Sequence, residues 1–310
     1  MLSRVAERVY WAARYLERIE NTVRLVSVYD QLMFDLPRSV GIGWYNLVTI
    51  NSAEEAFGKL YDVQSERNVV KFLLGDEANQ SSVCSSLRYA RENLRTTRDV
   101  IPAESWELIN ELHMFVVDNL QRGIARSERF NFLDGVVKHC QQIRGLIVGC
   151  MPRDHVWCFL ELGRNIERAD MTTRILDAGV RAQIQVSEDV SAINSQQIIW
   201  GHVLRSLDAT QSYRRTVRAS ISSTEVARYI LEDKAFPRTI SHCLIRLEDS
   251  LTKLPKHEAV LSLVEKMQDK ILNSLDYSDL GEPMKDFLND MQLDLASVHT
   301  SVSSSWFTYE

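Results

Sequence analysis

The chain holds 310 residues, with 36 Lys and Arg against 42 Asp and Glu, a formal charge of −6, and 45% hydrophobic residues. Its 12 Gly and 6 Pro are about half of average usage, which argues against many short strands joined by tight turns, and the apolar and charged fractions exclude a disordered or fibrous chain. No stretch approaches the ~18 uninterrupted apolar residues of a membrane span, and Arg4, Glu7 and Arg8 stand where an export signal needs an apolar run. A cytoplasmic protein with no membrane association is expected.

Apolar residues recur at spacings of three and four almost throughout, which predicts helices. The first runs from about Leu2 to Asp35, followed by a loop from Leu36 to Ser52 holding Pro37, Gly41 and Gly43, within which Leu47–Ile50 could form a short strand. Helices over Ala53–Leu60 and Glu66–Leu74 precede the turn residues Gly75–Asn79 and a helix ending near Ile101. Pro102 suits the first turn of a helix reaching Gly123, and Ser127–Cys150 forms the next. Asp154 can cap a long helix extending to about Gln185, after which Ser187–Ser195 reads as a polar break. Helices over Gln196–Ser220, Ser223–Asp233, Pro237–Leu254, Pro255–Ser274 and Met284–Ser303 complete an all-α bundle of about ten helices.

Charge is uneven along this order. Nine acidic residues against Lys266, Lys270 and Lys285 give the segment from Glu265 to Glu310 the whole net charge, and the remainder is neutral. No global basic field favours nucleic acid. Of the 36 basic residues 27 are Arg, the side chain suited to forked pairing with carboxylates and phosphates.

A repeat emerges when the chain is laid on itself with a shift of 150. Arg14, Leu16, Glu17, Arg18, Glu20, Thr22, Arg24 and Leu25 fall on Arg164, Ile166, Glu167, Arg168, Asp170, Thr172, Arg174 and Ile175. This period is too long for a solenoid unit, so two equivalent helices are the better reading. In the first copy Ala12, Leu16, Ile19, Val23 and Val26 share one face, and Arg14, Glu17, Arg18, Asn21 and Arg24 the opposite one. Arg14 with Arg18, and Arg164 with Arg168, are like charges one turn apart, unfavourable in isolation. Something acidic should sit between them. The same offsets recur in Arg88, Arg91, Arg95 and Arg98, and in Asp208, Gln211, Arg215 and Arg218. If these stripes face one another, Arg14, Arg18, Arg91, Arg95, Arg164, Arg168 and Arg215 are candidate anion-binding residues, with Glu17 and Glu167 as candidate catalytic carboxylates. If they face water, they do nothing specific.

Other chemistry lacks a motif. There is no phosphate-binding G-x-x-x-x-G-K-[ST] loop, and Gly41-Ile-Gly43 continues as Trp44-Tyr-Asn46, failing the dinucleotide pattern. No His follows a Glu by three, so a di-iron site is not expected, and neither metal nor cofactor is assigned. The five cysteines, Cys84, Cys140, Cys150, Cys158 and Cys243, show no C-x-x-C spacing and read as reduced core fillers.

Met1-Leu-Ser-Arg4, Tyr15-Leu-Glu-Arg-Ile-Glu-Asn21, Ala90-Arg-Glu-Asn-Leu-Arg95, Leu162-Gly-Arg-Asn-Ile-Glu-Arg-Ala-Asp170 with Thr173-Arg-Ile-Leu-Asp177, Tyr213-Arg-Arg215 and Phe236-Pro-Arg238 occur in order. With them the chain resembles the Alpha-E family, bacterial helical proteins named for a Glu-Arg motif. The likeness extends to about Leu254, dividing the chain into a helical body, 1–254, and an acidic helical region, 255–310, packed on the same domain. Beyond Pro255 no motif is matched. The resemblance implies association with circularly permuted ATP-grasp ligases, which activate a carboxylate as an acyl phosphate for attack by an amine. Three functions stay open: a helical partner of such a ligase whose Arg/Glu cluster organises the fold or receives an anionic peptide or acyl phosphate, a stand-alone enzyme of amide-bond chemistry with Glu17 or Glu167 as general base, and a structural scaffold.

Overall fold

A computed structural model describes residues 3–35, 42–185, 191–273, 277 and 280–307. Among them lie fourteen helices and no strand: α1 (Ser3–Asp35), α2 (Asn46–Ile50), α3 (Glu54–Gly58), α4 (Glu66–Leu74), α5 (Val83–Arg95), α6 (Glu104–Ile124), α7 (Arg129–Cys150), α8 (His155–Gln185), α9 (Ser191–Ser206), α10 (Thr210–Thr216), α11 (Ser223–Glu232), α12 (Ile240–Leu251), α13 (Glu258–Asn273) and α14 (Glu282–Trp306). The all-α class holds, with more helices than the expected ten. The excess comes from short pieces. Leu47–Ile50 is one helical turn within α2 rather than a strand. The helix expected from Gln196 to Ser220 is broken after Ser206, where Asp208 takes a φ of 56° and the Ala209 amide bonds back to the Leu204 carbonyl at 2.8 Å. Asp tolerates that left-handed conformation better than most residues, so the break carries no glycine. Residues 36–41 of the expected loop and 186–190 of the expected polar break lie outside the described residues; α9 already begins at Ser191.

Helix starts follow from local chemistry. Asp154 does cap α8, its carboxylate accepting the Trp157 amide at 3.1 Å. Ser65, Ser82 and Ser222 do the same for α4, α5 and α11.

α1 and α8, the two repeat-bearing helices, form the central pair of the molecule and run in parallel. Tyr10 meets Gly163 at one end, and Leu25, Tyr29 and Leu32 share a small cavity with Ile175, Ala178 and Ala182 further along. At Gly163 a methyl group would overlap the Tyr10 carbonyl oxygen, so the backbones touch there. α5 and α7 pack on the α1 side, α12 and α14 on the α8 side, and α6 covers α7. Met284, Leu288, Met291, Leu295, Val298 and Val302 line the buried face of α14 and belong to one hydrophobic cluster extending from Ala6 to Phe307. Cys140, Cys158 and Cys243 are buried as core fillers, but Cys150 is exposed at the end of α7, and all five are free thiols. No described helix is long and apolar enough to cross a membrane.

Candidate functional site

The parallel pairing turns the charged faces of α1 and α8 toward each other. Arg14 Nε donates to Glu167 Oε2 at 2.8 Å, while Arg18 reaches both Glu167 oxygens at 2.6 and 3.0 Å. In the reverse direction Arg168 grips Glu17 through Nε and an NH2 nitrogen at 2.8 and 2.7 Å. Glu167 thus separates Arg14 from Arg18, as the like-charge spacing demanded, while Glu17 takes up Arg168. Glu20 with Arg24 and Asp170 with Arg174 repeat the symmetry one turn on, at 3.0 and 2.9 Å.

The symmetry fails at one position. Arg14 has Arg164 as its counterpart, yet Glu17 is shared by Arg168 and Arg238, the latter contributed by the turn between α11 and α12. That turn is set by Asp233, whose carboxylate accepts the Ala235 and Phe236 amides at 2.9 and 2.7 Å, and by Thr172, whose hydroxyl donates to the Arg238 carbonyl at 3.2 Å. Arg238 spends its donors on Glu17, Asn21 and Glu20 at 2.9, 2.8 and 2.7 Å. Displaced from Glu17, Arg164 pairs with Glu161 one turn before it, and its buried Nε has no acceptor.

Ionisation follows the geometry. Burial alone would raise the Glu17 carboxyl, but Arg168 and Arg238 hold it far below the usual range. Glu167 is brought down to about 2 by Arg18 and Arg14 against the same burial. Arg164 is also lowered, to about 9, by burial and by the facing guanidiniums of Arg168, Arg144 and Arg246, a shift that for a cation disfavours the charged form; it stays charged at neutral pH. A carboxylate fixed by two guanidiniums and ionised near pH 2 accepts a substrate proton weakly, whereas a base working at neutral pH needs a pKa near it. Glu17 and Glu167 bind arginines.

Of the candidate arginines, Arg14, Arg18, Arg164 and Arg168 come together, and Arg91, Arg95 and Arg215 do not. Arg91 donates to Asn110 at 2.7 Å and lies over the Trp106 ring, Arg95 pairs with Glu92 on the surface, and Arg215 is exposed. The core side of α5 is its apolar stripe, Leu87, Ala90 and Leu94, so its arginines point away from the crossing. In their place stand Glu20, which the repeat aligned with Asp170, and residues that the repeat did not flag: Arg144, Glu161, Arg238 and Arg246. Arg144 interrupts the apolar row Cys140, Ile143 and Ile147 of α7, a visible signal, and donates to Glu20 at 3.1 Å. Arg246, on α12, had none.

Beside the crossing opens a cleft of about 500 Å³ lined by Arg24, Arg144, Arg153, Arg164, Arg168, Arg238 and Arg246, with Glu161 and Asp208 as its acidic residues. Arg168 and Arg238 form a floor tied to the buried carboxylates. Arg144, Arg164 and Arg246 form a rim with donors to spare. Among the described residues no group of three His, Cys, Asp or Glu side chains is placed to hold a metal.

Residues 1–307 match the family model of Alpha-E, described as a predicted alpha-helical domain with a conserved ER motif. The chain belongs to the Alpha-E family. The match includes the acidic C-terminal helices, which the sequence motifs had left unassigned. Uncharacterised proteins of Mycobacterium bovis and Mycobacterium tuberculosis are 22% identical to this Alpha-E chain over 333 aligned residues, covering 97% of it and 35% of each relative. The chain therefore spans about a third of the length of these relatives. No solved structure matches it. This Alpha-E chain carries Glu-Arg at 17–18 and 167–168, and the crossing gives that dipeptide a physical reason: the carboxylate neutralises the partner helix while the adjacent arginine seeks the partner's carboxylate.

Proposed function

We propose that this Alpha-E chain is a cytoplasmic helical partner of an amide-forming ligase of the ATP-grasp kind, and that its arginine cleft holds the anionic part of the ligase's peptide substrate or acyl-phosphate product. The body, 1–254, supplies the cleft, and the acidic region, 255–310, braces α8 from behind. The observation that carries the reading is the rim: Arg144, Arg164 and Arg246 converge on one cleft while the carboxylates beneath are taken up by Arg168 and Arg238. Guanidiniums in a partly enclosed cleft bind carboxylates and phosphates through paired, charge-assisted hydrogen bonds. A stand-alone enzyme is disfavoured because neither central glutamate has a free, basic oxygen. The ligase association rests on family resemblance.

Calorimetric titration with a short glutamate-rich peptide tests the binding, and adding the chain to a purified ligase tests the partnership. Saturable binding that weakens steeply as salt rises, together with faster amide formation when the chain is present, is the expected result. Absence of saturable binding to any acidic peptide or phosphate compound would remove the basis of the reading. Amide turnover by the chain alone would replace partner with enzyme.

A further inference from the structure

Charge around the cleft does not close. Arg24, Arg144, Arg153, Arg164, Arg168, Arg238 and Arg246 line it. Against them stand five carboxylates within ion-pair reach, Glu17, Glu20, Glu161, Asp208 and Asp249. Two positive charges remain in the cleft as a whole, one of them that of Arg153, whose hydrogen bonds go to carbonyls and not to a carboxylate. Arg168 commits both of its forked nitrogens to Glu17 and the third to the Pro237 carbonyl at 3.3 Å. Arg238 gives both of its terminal nitrogens to Glu17, Asn21 and Glu20. Arg24 divides itself between Glu20 and Asp208. Arg153 gives two nitrogens to the Met151 and Val148 carbonyls and lies flat over Trp157 at 3.7 Å.

Three residues are more loosely held. Arg144 makes one bond, to Glu20. Arg246 reaches Glu161 loosely at 3.5 Å and Asp249 at 3.1 Å on the surface. Arg164 shares that same Glu161 and keeps an unpartnered Nε. These three guanidiniums come from three helices, α7, α8 and α12; Arg164 and Arg246 share Glu161, and Arg144 holds Glu20.

We propose that Arg144, Arg164 and Arg246 form a subsite for a dianionic phosphoryl group, a phosphate monoester or free phosphate, in preference to a carboxylate. This deepens the anion-binding reading of the cleft and rests on it. A carboxylate carries one negative charge and leaves the cleft unbalanced, whereas a phosphoryl group carries about 1.5 to 2 at neutral pH. Its oxygens are also disposed in three dimensions, matching donors that arrive from three helices rather than from one plane. Phosphodiesters, with a single charge, fit no better than carboxylates, so a nucleic-acid backbone is not the partner.

Titration of the full chain with inorganic phosphate, phenyl phosphate, dimethyl phosphate and acetate tests the subsite. Phosphate or phenyl phosphate should bind at least about tenfold more tightly than dimethyl phosphate or acetate. The affinity for phenyl phosphate should rise between about pH 5.5 and about 7 as the second proton of the monoester leaves at about 6, and that for inorganic phosphate, the weaker acid in its second step, at higher pH. Binding of both dianions assigns a monoester, and binding of inorganic phosphate alone a free anion. Arg246→Ala and Arg144→Ala should each weaken phosphate by about tenfold with the helical spectrum unchanged, and Arg215→Ala should not weaken it. If acetate and the glutamate-rich peptide bind as well as phosphate and show no such pH dependence, the phosphoryl assignment falls and the anion cleft stands. If none of the probes binds, both fall.

Discussion

Glu17 and Glu167 look equivalent in the repeat but sit in unequal surroundings. The arginines on Glu17, Arg168 and Arg238, are 7% and 8% exposed, whereas those on Glu167, Arg14 and Arg18, are 11% and 19% exposed and can turn toward water. Breaking a buried pair strands an uncompensated charge and costs about 3 to 5 kcal/mol. Glu17→Gln should therefore lose stability in that range, and Glu167→Gln less, as read from urea unfolding midpoints; equal losses would show that the two environments do not differ. A second residue-scale prediction concerns His299. Its Nδ1 shares a hydrogen bond with the Tyr10 hydroxyl at 2.8 Å, while Arg14 donates to the same phenol oxygen, and burial with Arg14 brings the imidazole from 6.5 down to about 4. The unfolded chain takes up a proton below about pH 6.5 that the folded one refuses until about 4, so stability falls as pH drops through that window. Glu167 adds its own loss lower, between its ordinary 4.5 and about 2. His299→Gln should flatten the decline between about pH 6.5 and about 4, leaving the part that belongs to His202, whose pKa is also lowered by burial. A decline as steep as before would exclude His299 as its source. The exchange of Glu17 and Glu167 between helices was legible because like charges one turn apart require an acid from elsewhere. Arg246 was not, since a lone arginine on an amphipathic helix looks the same whether it faces a cleft or water.

At the level of elements, the crossing of α1 and α8 depends on small residues. Gly163→Ala would push a methyl group into the Tyr10 carbonyl, and because backbone cannot move aside as a side chain does, a loss of about 1 to 3 kcal/mol is expected despite the better helix propensity of alanine. Gly145, inside α7 with open space around its Cβ position, should respond oppositely and gain about 0.5 to 1 kcal/mol as alanine. Thermal unfolding of the two variants checks the contrast, and equal shifts would show that helix propensity, not contact, governs both positions. Helix positions were readable from apolar periodicity, and the Asp154 cap from its residue type. The break at Asp208 was hidden because a left-handed residue other than glycine leaves no mark in composition. Orientation was the other hidden quantity: α5 repeats the arginine offsets of α1, but only packing decides that its polar stripe faces α6 and solvent.

For the whole molecule, a pseudo-twofold pair of helices has been made unsymmetrical by one turn. On one side the Arg14–Glu167–Arg18 cluster is closed by α14 through the Tyr10–His299 contact and by Phe307 against Tyr10. On the other, Arg238 enters from between α11 and α12, displaces Arg164 from Glu17, and leaves a cleft. Buried pairs on both sides hold the fold, and in the proposed function the open side also takes the ligand. Arg246→Ala separates the two roles most directly, because this residue is 37% exposed and its ion pairs are on the rim, where such pairs contribute about 0 to 1 kcal/mol. Measured on one preparation by calorimetric titration with the glutamate-rich peptide alongside urea unfolding, the variant should keep its unfolding midpoint within that margin and bind about tenfold more weakly. Unaltered affinity in a fully folded Arg246→Ala protein would contradict the account.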